Sequence, residues 1–256
     1  MYLPFPASFI HAASQVLNIT PGWGVRAQLI LEYFNIPYKV QYFNYTIPAL
    51  TPPPELKTLP VLDVTPAPGA TAAEETLRIH DSLAIAEFLA DQHPEKHLWP
   101  ADPQLRALAR VAAAQMHSGF AALRDACPSN FVSHFSGPGI PFPEAAAADV
   151  QSFSRCGTAC AWLLRKGSSS SARLIAVFSV RLRSYDVPLA GSTDEARMWM
   201  ATMWNDPVLK AQGKEYFRQA RDPKSHFGMY DDIFKASPNV TSGTFSEDWV
   251  FDGTNV

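Results

Sequence analysis

The spacing of apolar residues changes near residue 96, and this change restricts the chain to a few folds. Before that point, alternating or short apolar segments predict strands over residues 9–15, 37–43, 59–64 and 76–81, and helical spacing predicts helices over residues 24–34 and 82–92. Beyond it the strand pattern weakens, and helical patterns cover residues 103–126, 143–153 and 193–206. We therefore expect an α/β domain over residues 1–96 and an all-α domain over residues 97–256.

The composition narrows the class of protein. Apolar residues form 47% of the 256 residues, and the net charge is −3. These values are typical of a globular protein and argue against a nucleic-acid or anionic-membrane partner. No apolar run is long enough to span a bilayer, and the first residues lack the basic start and apolar core of a signal peptide, so we expect a cytoplasmic protein. The three cysteines, Cys127, Cys156 and Cys160, are an odd number without metal-site spacing, and we expect free thiols.

A threonine, a proline and a glycine stand directly before the first predicted helix, in the stretch TPGW at residues 20–23. Pro21 suits the first turn of a helix because its missing N–H would have no helical partner there. Gly22 allows another molecule to approach the main chain closely. Thr20 has two interpretations: its hydroxyl can cap the helix by accepting from the amide of Trp23, or it can serve a bound ligand.

Six segments in order carry a resemblance to a known family. They read TPGWGVRAQLILEYFNIPYK, TLPVLDV, IHDSLAIAEFLADQHP, LWPADPQLRALAR, MHSGFAALRDACPSNF and VRLRSYDVPL. The set resembles the cytosolic glutathione transferases, most closely the serine-type enzymes of bacteria and fungi. The resemblance implies a thioredoxin-like N-terminal domain that binds glutathione, followed by an all-α helical C-terminal domain. It covers most of the chain and is weak over residues 136–178.

The resemblance gives the start of the first helix a chemical role. In this family the N-terminus of that helix faces the sulfur of glutathione, and a hydroxyl there donates to the thiolate and lowers the pKa of the thiol. Thr20 is accordingly the candidate activating residue, and Asn18 is a second candidate donor. Relatives usually have a serine, a cysteine or a tyrosine at or beside this turn, whereas this chain has Pro21 and Gly22.

The segment TLPVL matches a glutathione-binding turn of the family. The resemblance implies that the Leu59-Pro60 peptide bond is cis, which directs the main chain of Leu59 to the cysteinyl part of glutathione. The alternative is a trans bond at an edge strand. Lys57 and Thr58 would reach the glycyl carboxylate.

The segment HDSLAI matches the acid–serine pair with which the family binds the other end of glutathione. Ser82 and the first-turn amides of the second helix would take the γ-glutamyl carboxylate, and Asp81 would take its amino group. The alternative is that Asp81 and Ser82 only cap this helix, as such residues do in many proteins.

The resemblance also implies a pocket for a second, hydrophobic substrate between the domains. Its wall would come from Met116, His117 and Phe120 on the first long helix of the second domain, and Trp23 belongs to the same pocket. Apolar residues at helical spacing are also typical of a core, so a packing role stays open for these residues.

Part of the chain departs from the family pattern. Relatives have a serine–aspartate capping pair before the late core helix; here Ser169 fits the first position, but Ala172 stands in place of the aspartate. Losing such a cap costs about 0.5–2 kcal/mol, so either the helix is stabilised otherwise or the 152–178 segment is altered. The last residues, from 237 onward, form a polar tail with an apolar anchor at residues 249–251.

These observations favour a glutathione transferase that joins the glutathione thiolate to a small hydrophobic electrophile, or isomerises or reduces one through a glutathione adduct, in detoxification. The alternative is a catalytically weak protein of this fold that binds glutathione or apolar ligands. A protein-interaction module without a glutathione site ranks last. Glutathione would be a co-substrate, no metal, nucleic acid or membrane is expected, and a homodimer is expected because the family is usually dimeric.

Overall fold

The computed structural model describes residues 14–19, 23–45, 47–56, 58–66, 75–167, 180–189, 191–223, 226, 228 and 233–251. The chain divides into two compact units, Met1–Leu98 and Trp99–Val256. No helix within the described ranges is both long and apolar enough to cross a lipid bilayer.

A four-stranded sheet forms the centre of the first unit. Its strands are β1 (Ser14–Ile19), β2 (Lys39–Tyr42), β3 (Val61–Thr65) and β4 (Leu77–His80), in the order β2-β1-β3-β4. β1 pairs with β2 in parallel, whereas β3 is antiparallel to both β1 and β4. A parallel pair needs a crossover connection, and helix α1 (Trp23–Tyr33) lies between β1 and β2 in the chain. The α/β architecture agrees with the prediction from sequence.

Helix α1 is buried along most of its length. All eight residues from Gly24 to Leu31 are buried, and the helix packs against β1 and against α2 (Ser82–Gln92). Because this helix is buried on every side, its apolar residues are not confined to one face. Helix α2 buries only part of its surface, mainly through Ile85, Ala86 and Leu89.

The first strand continues beyond the residues that the sequence pattern predicts. The pattern predicts residues 9–15, but β1 runs from Ser14 to Ile19, and residues 9–13 lie outside the described part of the chain. β1 has a partner on each side, because Asn18 lies opposite both Gln41 of β2 and Val61 of β3. A strand in the middle of a sheet need not alternate apolar and polar residues, so a period of two does not identify it.

Helices form most of the described part of the second unit. Within its described residues they are α3 (Pro103–Ser118), α4 (Ala121–Ala126), α5 (Glu144–Arg165), α6 (Val180–Ser184), α7 (Asp194–Trp204) and α8 (Pro207–Arg221). Asp102, Thr193 and Asp206 cap α3, α7 and α8, because a side-chain oxygen of each accepts from first-turn amides. α5 packs against α3, α4 and α7 and is therefore the central helix of the unit.

The helix predicted over residues 103–126 is two helices in the structure. α3 ends at Ser118 and α4 begins at Ala121. A Cβ atom at Gly119 would lie 2.5 Å from the main-chain oxygen of Gln115, so this position requires glycine. Phe120 has a φ of 62°, in the left-handed region, and this conformation ends the α-helical path.

Two helical segments extend beyond the prediction. α5 continues past the predicted residues 143–153 to Arg165, through a stretch that lacks the family pattern. α8 is absent from the prediction, although Asp206 and Pro207 repeat the N-cap and first-turn signal that Asp102 and Pro103 give to α3. The sequence of α8 is mostly polar, yet the helix is amphipathic, with Leu209, Tyr216 and Phe217 buried at helical spacing, so a helical signal was present in the sequence.

The described residues of helix α6 are buried, and long-range hydrogen bonds hold them in place. Three of its side chains donate to main-chain carbonyl groups between residues 127 and 131: Arg181 to Cys127, Arg183 to Phe131 and Ser184 to Asn130. These bonds stabilise the helix and supply buried carbonyl groups with partners. The capping positions Ser169 and Ala172 lie outside the described residues.

The last described residues are part of the packed unit. β6 (Thr241–Thr244) pairs in antiparallel fashion with β5 (Ser133–Ser136). Beyond β6, Phe251 is 1% exposed, and the ring of Trp249 lies 5.3 Å from that of Trp204. The predicted anchor is therefore confirmed for Trp249 and Phe251, whereas Val250 is exposed.

Candidate functional site

The sheet register brings three predicted site segments of the first unit together at one end of the sheet. Asn18, near the end of β1, lies opposite Val61 at the start of β3, and Val61 lies opposite His80 at the end of β4. Leu59 and Pro60 come directly before Val61, and the N-terminus of α2 follows His80. The amide of Asp81 donates to the carbonyl of Pro60 at 3.3 Å and joins these two segments directly.

The main chain at Leu59 has hydrogen-bonding groups that the described residues do not use. The Leu59-Pro60 bond is cis, as expected, and the Leu59 side chain packs against the small core cluster of Phe43, Leu56 and Val61. This packing fixes the position of the residue. Its main-chain amide and carbonyl have no hydrogen-bond partner among the described residues. Since main-chain polar groups of a fold usually find partners, these two are suited to a ligand with complementary groups.

Asp81 caps helix α2. Its Oδ1 accepts from the amide of Leu83 at 2.7 Å and from that of Ala84 at 3.2 Å. Two of the first-turn amides expected to bind a carboxylate are therefore already occupied by Asp81. Its φ of 78° is unusual for a residue other than glycine.

Ser82 is the group of this helix N-terminus that the structure leaves open to a ligand. It is 4% exposed, and within the described part of the chain neither its amide nor its hydroxyl takes part in a hydrogen bond. The amide lies at the positive end of the α2 dipole, where an anionic group is stabilised. Thr58, which directly precedes Leu59, is exposed, whereas Lys57 lies outside the described residues.

The start of α1 is described only in part. Thr20, Pro21 and Gly22 lie outside the described residues, and Asn18 is placed through its main chain in β1. Trp23 opens the helix and is 37% exposed. The guanidinium of Arg26 stacks over its ring at 4.3 Å from the ring centre, so Arg26 has a structural role in this turn of the helix.

The residues predicted to line a second-substrate pocket differ in exposure. Met116 and Phe120 are 1% and 5% exposed, and the Phe120 ring packs edge-on against Phe153 at 5.9 Å. Arg124 donates to the carbonyl of Met116. Both residues therefore belong to the core of the second unit, as the alternative interpretation expects. His117 is half-buried at the end of α3.

The cysteines lie in the core of the second unit. All three are free and buried, as expected. Burial raises the pKa of the Cys127 thiol to about 12, so it stays protonated at neutral pH. The pKa of Cys160 is also raised, because its thiol is hydrogen-bonded to Cys156 and is buried. Among the described residues, no group of three or more His, Cys, Asp or Glu side chains could hold a metal ion.

Sequence comparison does not identify the chain, because the sequence matches no protein-family model and no curated protein. Comparison of structures does give matches. A glutathione transferase Omega 2S from Trametes versicolor, in complex with 2,4-dihydroxybenzophenone, is similar with a TM-score of 0.58 and 19% identity, over 82% of this chain and 98% of that one.

Two further solved structures agree. A glutathione transferase homologue from Burkholderia GL BGR1, with bound glutathione, has a TM-score of 0.53 and 17% identity over 81% of this chain and 100% of that one. A maleylacetoacetate isomerase from Anaeromyxobacter dehalogenans 2CP-1 has a TM-score of 0.51 and 19% identity over 84% and 95% of the two chains. At these identities the likeness establishes the fold. The chain has the glutathione transferase fold, with a thioredoxin-like N-terminal part and a helical C-terminal part.

Proposed function

We propose that the chain is a glutathione transferase that joins the glutathione thiolate to a small hydrophobic electrophile. Residues 1–96 would bind glutathione as co-substrate, and residues 97–256 would contribute the pocket for the second substrate. The observation that carries the proposal is the hydrogen bond from the amide of Asp81 to the carbonyl of Pro60, which joins the segments of Leu59 and Ser82, each with main-chain groups available to a ligand. Two of the similar structures support it, since one holds glutathione and another is an isomerase.

Each part of glutathione has a partner in this proposal. The cysteinyl amide and carbonyl pair with the main chain of Leu59, in the manner of an added strand. The γ-glutamyl carboxylate accepts from the amide and hydroxyl of Ser82, and the amino group lies near the carboxylate of Asp81. Lys57 and Thr58 take the glycyl carboxylate.

The chemistry assigned to this arrangement is activation of a thiol. Thr20 donates to the sulfur at the N-terminus of α1, with Asn18 as the second candidate, and the helix dipole adds to the stabilisation of the thiolate. The thiolate is the nucleophile, so a lower thiol pKa increases its fraction at neutral pH. Trp23 and His117 stay candidates for the second-substrate pocket, whereas Met116 and Phe120 belong to the core of the second unit. A cytoplasmic role in detoxification and a homodimeric assembly complete the proposal.

Calorimetric titration with reduced glutathione tests the binding step. We expect Ser82→Ala to weaken binding about 10- to 100-fold, because it removes a hydrogen bond to a charged group. Asp81→Asn keeps an oxygen that can cap α2 but removes the negative charge, and we expect it to weaken binding about tenfold.

Asp102→Asn is the matched control. Asp102 caps α3 as Asp81 caps α2, with Oδ1 accepting from the amides of Gln104 and Leu105 at 2.9 and 2.8 Å. If Asp81 served only as a cap, the two variants would bind glutathione as the parent does. That result, or the absence of any heat with the parent chain, would contradict the proposed site.

A further inference from the structure

The last described residues of the second unit depend on their side chains for attachment. We call β6 and the residues that follow it, 241–251, the strap. All four residues of β6 are exposed, and a two-stranded pairing is only marginally stable by itself. Beyond β6, the amide of Phe245 donates to the carbonyl of Val132 at 2.9 Å, whereas the amides of Asp248 and Trp249 donate back to Ser246 within the strap. Segments of this kind open locally more easily than packed helices do.

Two rings of the strap lie over a buried cation of α6. Arg183 is 4% exposed. Its guanidinium carbon lies 4.2 Å from the ring centre of Phe245 and 5.0 Å from that of Trp249. A third ring, that of Trp204 at the end of α7, lies 4.6 Å away and is not part of the strap. Cations are attracted to the faces of aromatic rings, most strongly where water is excluded, so Arg183 attracts the strap to α6.

The rings stand where an opposite charge would be expected. One terminal nitrogen of Arg183 donates to the carbonyl of Phe131, but the buried Nε has no hydrogen-bond partner within the described residues. In the same part of the chain no carboxylate pairs with Arg183. Burial lowers the pKa of its guanidinium to about 9, so the group is still cationic at pH 7. Buried charges are normally paired; here ring faces take that place, and two of the three rings belong to the strap.

The strap has a second buried anchor at its end. Phe251 is 1% exposed, and its carbonyl accepts from Nδ2 of Asn205 at 3.3 Å. Glu247 also pairs with Arg221, but this pair lies at the surface, where an ion pair contributes little. Residues 246–248, between the two anchors, are exposed. Release of both anchors would free the whole segment while α5 keeps its packing against α3, α4 and α7.

We propose that the strap opens and closes as one unit while the helices of the second unit stay folded, and that Arg183 is the residue that holds it closed. Opening returns Arg183 to water and uncovers the ring of Trp204. The open form therefore presents a cation beside an aromatic surface that the closed form hides. This conformational device is independent of the proposed glutathione chemistry.

Amide hydrogen exchange of the full chain under native conditions, read by NMR, tests the opening. Phe245 reports on the strap because its amide is bonded to Val132, and Phe153 reports on the helices because it lies in the middle of α5. We expect the protection factor of Phe245 to be at least about 100-fold lower than that of Phe153 and to depend little on low concentrations of urea, because local opening exposes little surface. Equal protection with equal dependence on urea would mean that the strap is released only on global unfolding, and would overturn the proposal.

Arg183→Met removes the cation and keeps a long side chain. We expect the protection factor of Phe245 to fall about tenfold, because the attraction between the cation and the rings is lost on the closed side alone. Replacing a buried charge with an apolar residue can also stabilise a fold. Unchanged or higher protection of Phe245 in this variant would therefore refute the role of Arg183.

Thr193→Ala is the control for the strap. Thr193 caps α7, and this cap is present in the closed and the open form alike. We expect the variant to lower the protection of Phe153 about fivefold, since the cap is lost only on unfolding, and to leave that of Phe245 unchanged. An equal loss at Phe245 would show that its exchange requires unfolding of the helices, against the proposal.

Trp249→Leu tests the partner of Arg183 on the strap. By itself it should lower the protection of Phe245, because it removes one of the three rings. In the Trp249→Leu background, Arg183→Met should have a smaller effect, about threefold rather than tenfold, because the two residues act on each other. A tenfold effect of Arg183→Met in both backgrounds would show that the two are not coupled and would contradict the assignment.

Discussion

Asp81, Asp102 and Asp206 make the same two hydrogen bonds, in which Oδ1 accepts from the second and third amides of a helix. Their main chains differ. Asp102 and Asp206 have φ values of −64° and −65°, whereas Asp81 has a φ of 78°. A cap does not require a positive φ, and residues in such strained conformations cluster at ligand sites. The conformation of Asp81 therefore supports a role beyond capping.

Thr20→Ala tests the residue proposed to activate the thiol. We expect kcat/KM with an aryl halide to fall about 10- to 100-fold, with a smaller change in the KM for glutathione, because a donor to the thiolate acts on the reacting atom. The pH profile of the variant should shift to higher pH, since the bound thiol loses a group that lowers its pKa.

Thr193→Ala is the control for Thr20→Ala. Thr193 is a threonine N-cap, with its hydroxyl accepting from the amide of Ala196 at 3.1 Å. We expect this control to lose about 1 kcal/mol of stability and no activity. If Thr20→Ala gave the same result, Thr20 would be a cap and the thiol would need another donor.

The environment of Cys127 predicts low reactivity of its thiol. A thiol with a pKa of about 12, as burial gives Cys127, is protonated throughout the pH range from 7 to about 10. We expect iodoacetamide to leave Cys127 unlabelled in the native protein at pH 8, while the protein unfolded in guanidinium chloride is labelled at all three cysteines. Peptide mass spectrometry gives the labelled positions. Rapid labelling of Cys127 in the native state would contradict its burial.

At the scale of elements, two helical glycines should respond in opposite directions to the same change. A Cβ atom at Gly157 in α5 would lie 3.0 Å from Cε3 of Trp199 and 3.2 Å from Cβ of Ala196, both on α7. Trp199 is 1% exposed and packs against Phe153, so it has little room to move. We expect Gly157→Ala to lower the free energy of unfolding by about 1–2 kcal/mol despite the better helix propensity of alanine.

Gly213→Ala is the opposite case. Its Cβ would meet no atom within 4 Å, so only the helix propensity changes, and we expect a gain of about 0.5–1 kcal/mol. Urea unfolding of the two variants gives both values. If Gly157→Ala were also stabilising, the contact between α5 and α7 would be looser than the structure shows.

The elements show what local sequence can and cannot predict. The bounds of α2 follow from the sequence because Asp81 caps it and His93-Pro94 ends it. The break at Phe120 depends on a left-handed main chain that the residue type does not favour, so no local pattern predicts it. The pairing of β5 with β6 joins polar segments distant in the chain, and neither has an apolar period to mark it.

For the whole molecule, we expect a homodimer in solution. Leu108 and Val111 lie one turn apart on α3, and they are 46% and 60% exposed. We expect these two apolar side chains to lie in the dimer interface. Sedimentation equilibrium should give about twice the chain mass of 28.2 kDa. Val111→Asp should shift the mass toward that of one chain, because it buries a charge in an apolar interface.

Met198→Asp is the control for the dimer. Met198 is also 60% exposed, but it lies on α7, and we expect this variant to stay dimeric. A parent chain that sediments as a monomer would contradict the expected assembly, and dissociation by Met198→Asp alone would place the interface on α7.

The sequence predicts more of the proposed glutathione site than of the surroundings of Arg183. The turn at Leu59 and the pair Asp81-Ser82 form short local motifs, and the sheet register then brings them together. Arg183 becomes a buried cation only because rings from distant segments surround it. The signal available in the sequence was a charged residue in a segment similar to a core helix, and its partners could not be identified without the structure.

The pairing of β5 with β6 has a consequence during synthesis. The two strands are more than one hundred residues apart in the chain, so at about 5–20 residues per second β5 waits roughly 5 to 20 seconds for its partner. An unpaired strand can join a neighbouring nascent chain on the same polysome. Its sequence, Ser-His-Phe-Ser, has one strongly apolar residue in four and so makes β5 a poor template for such an encounter.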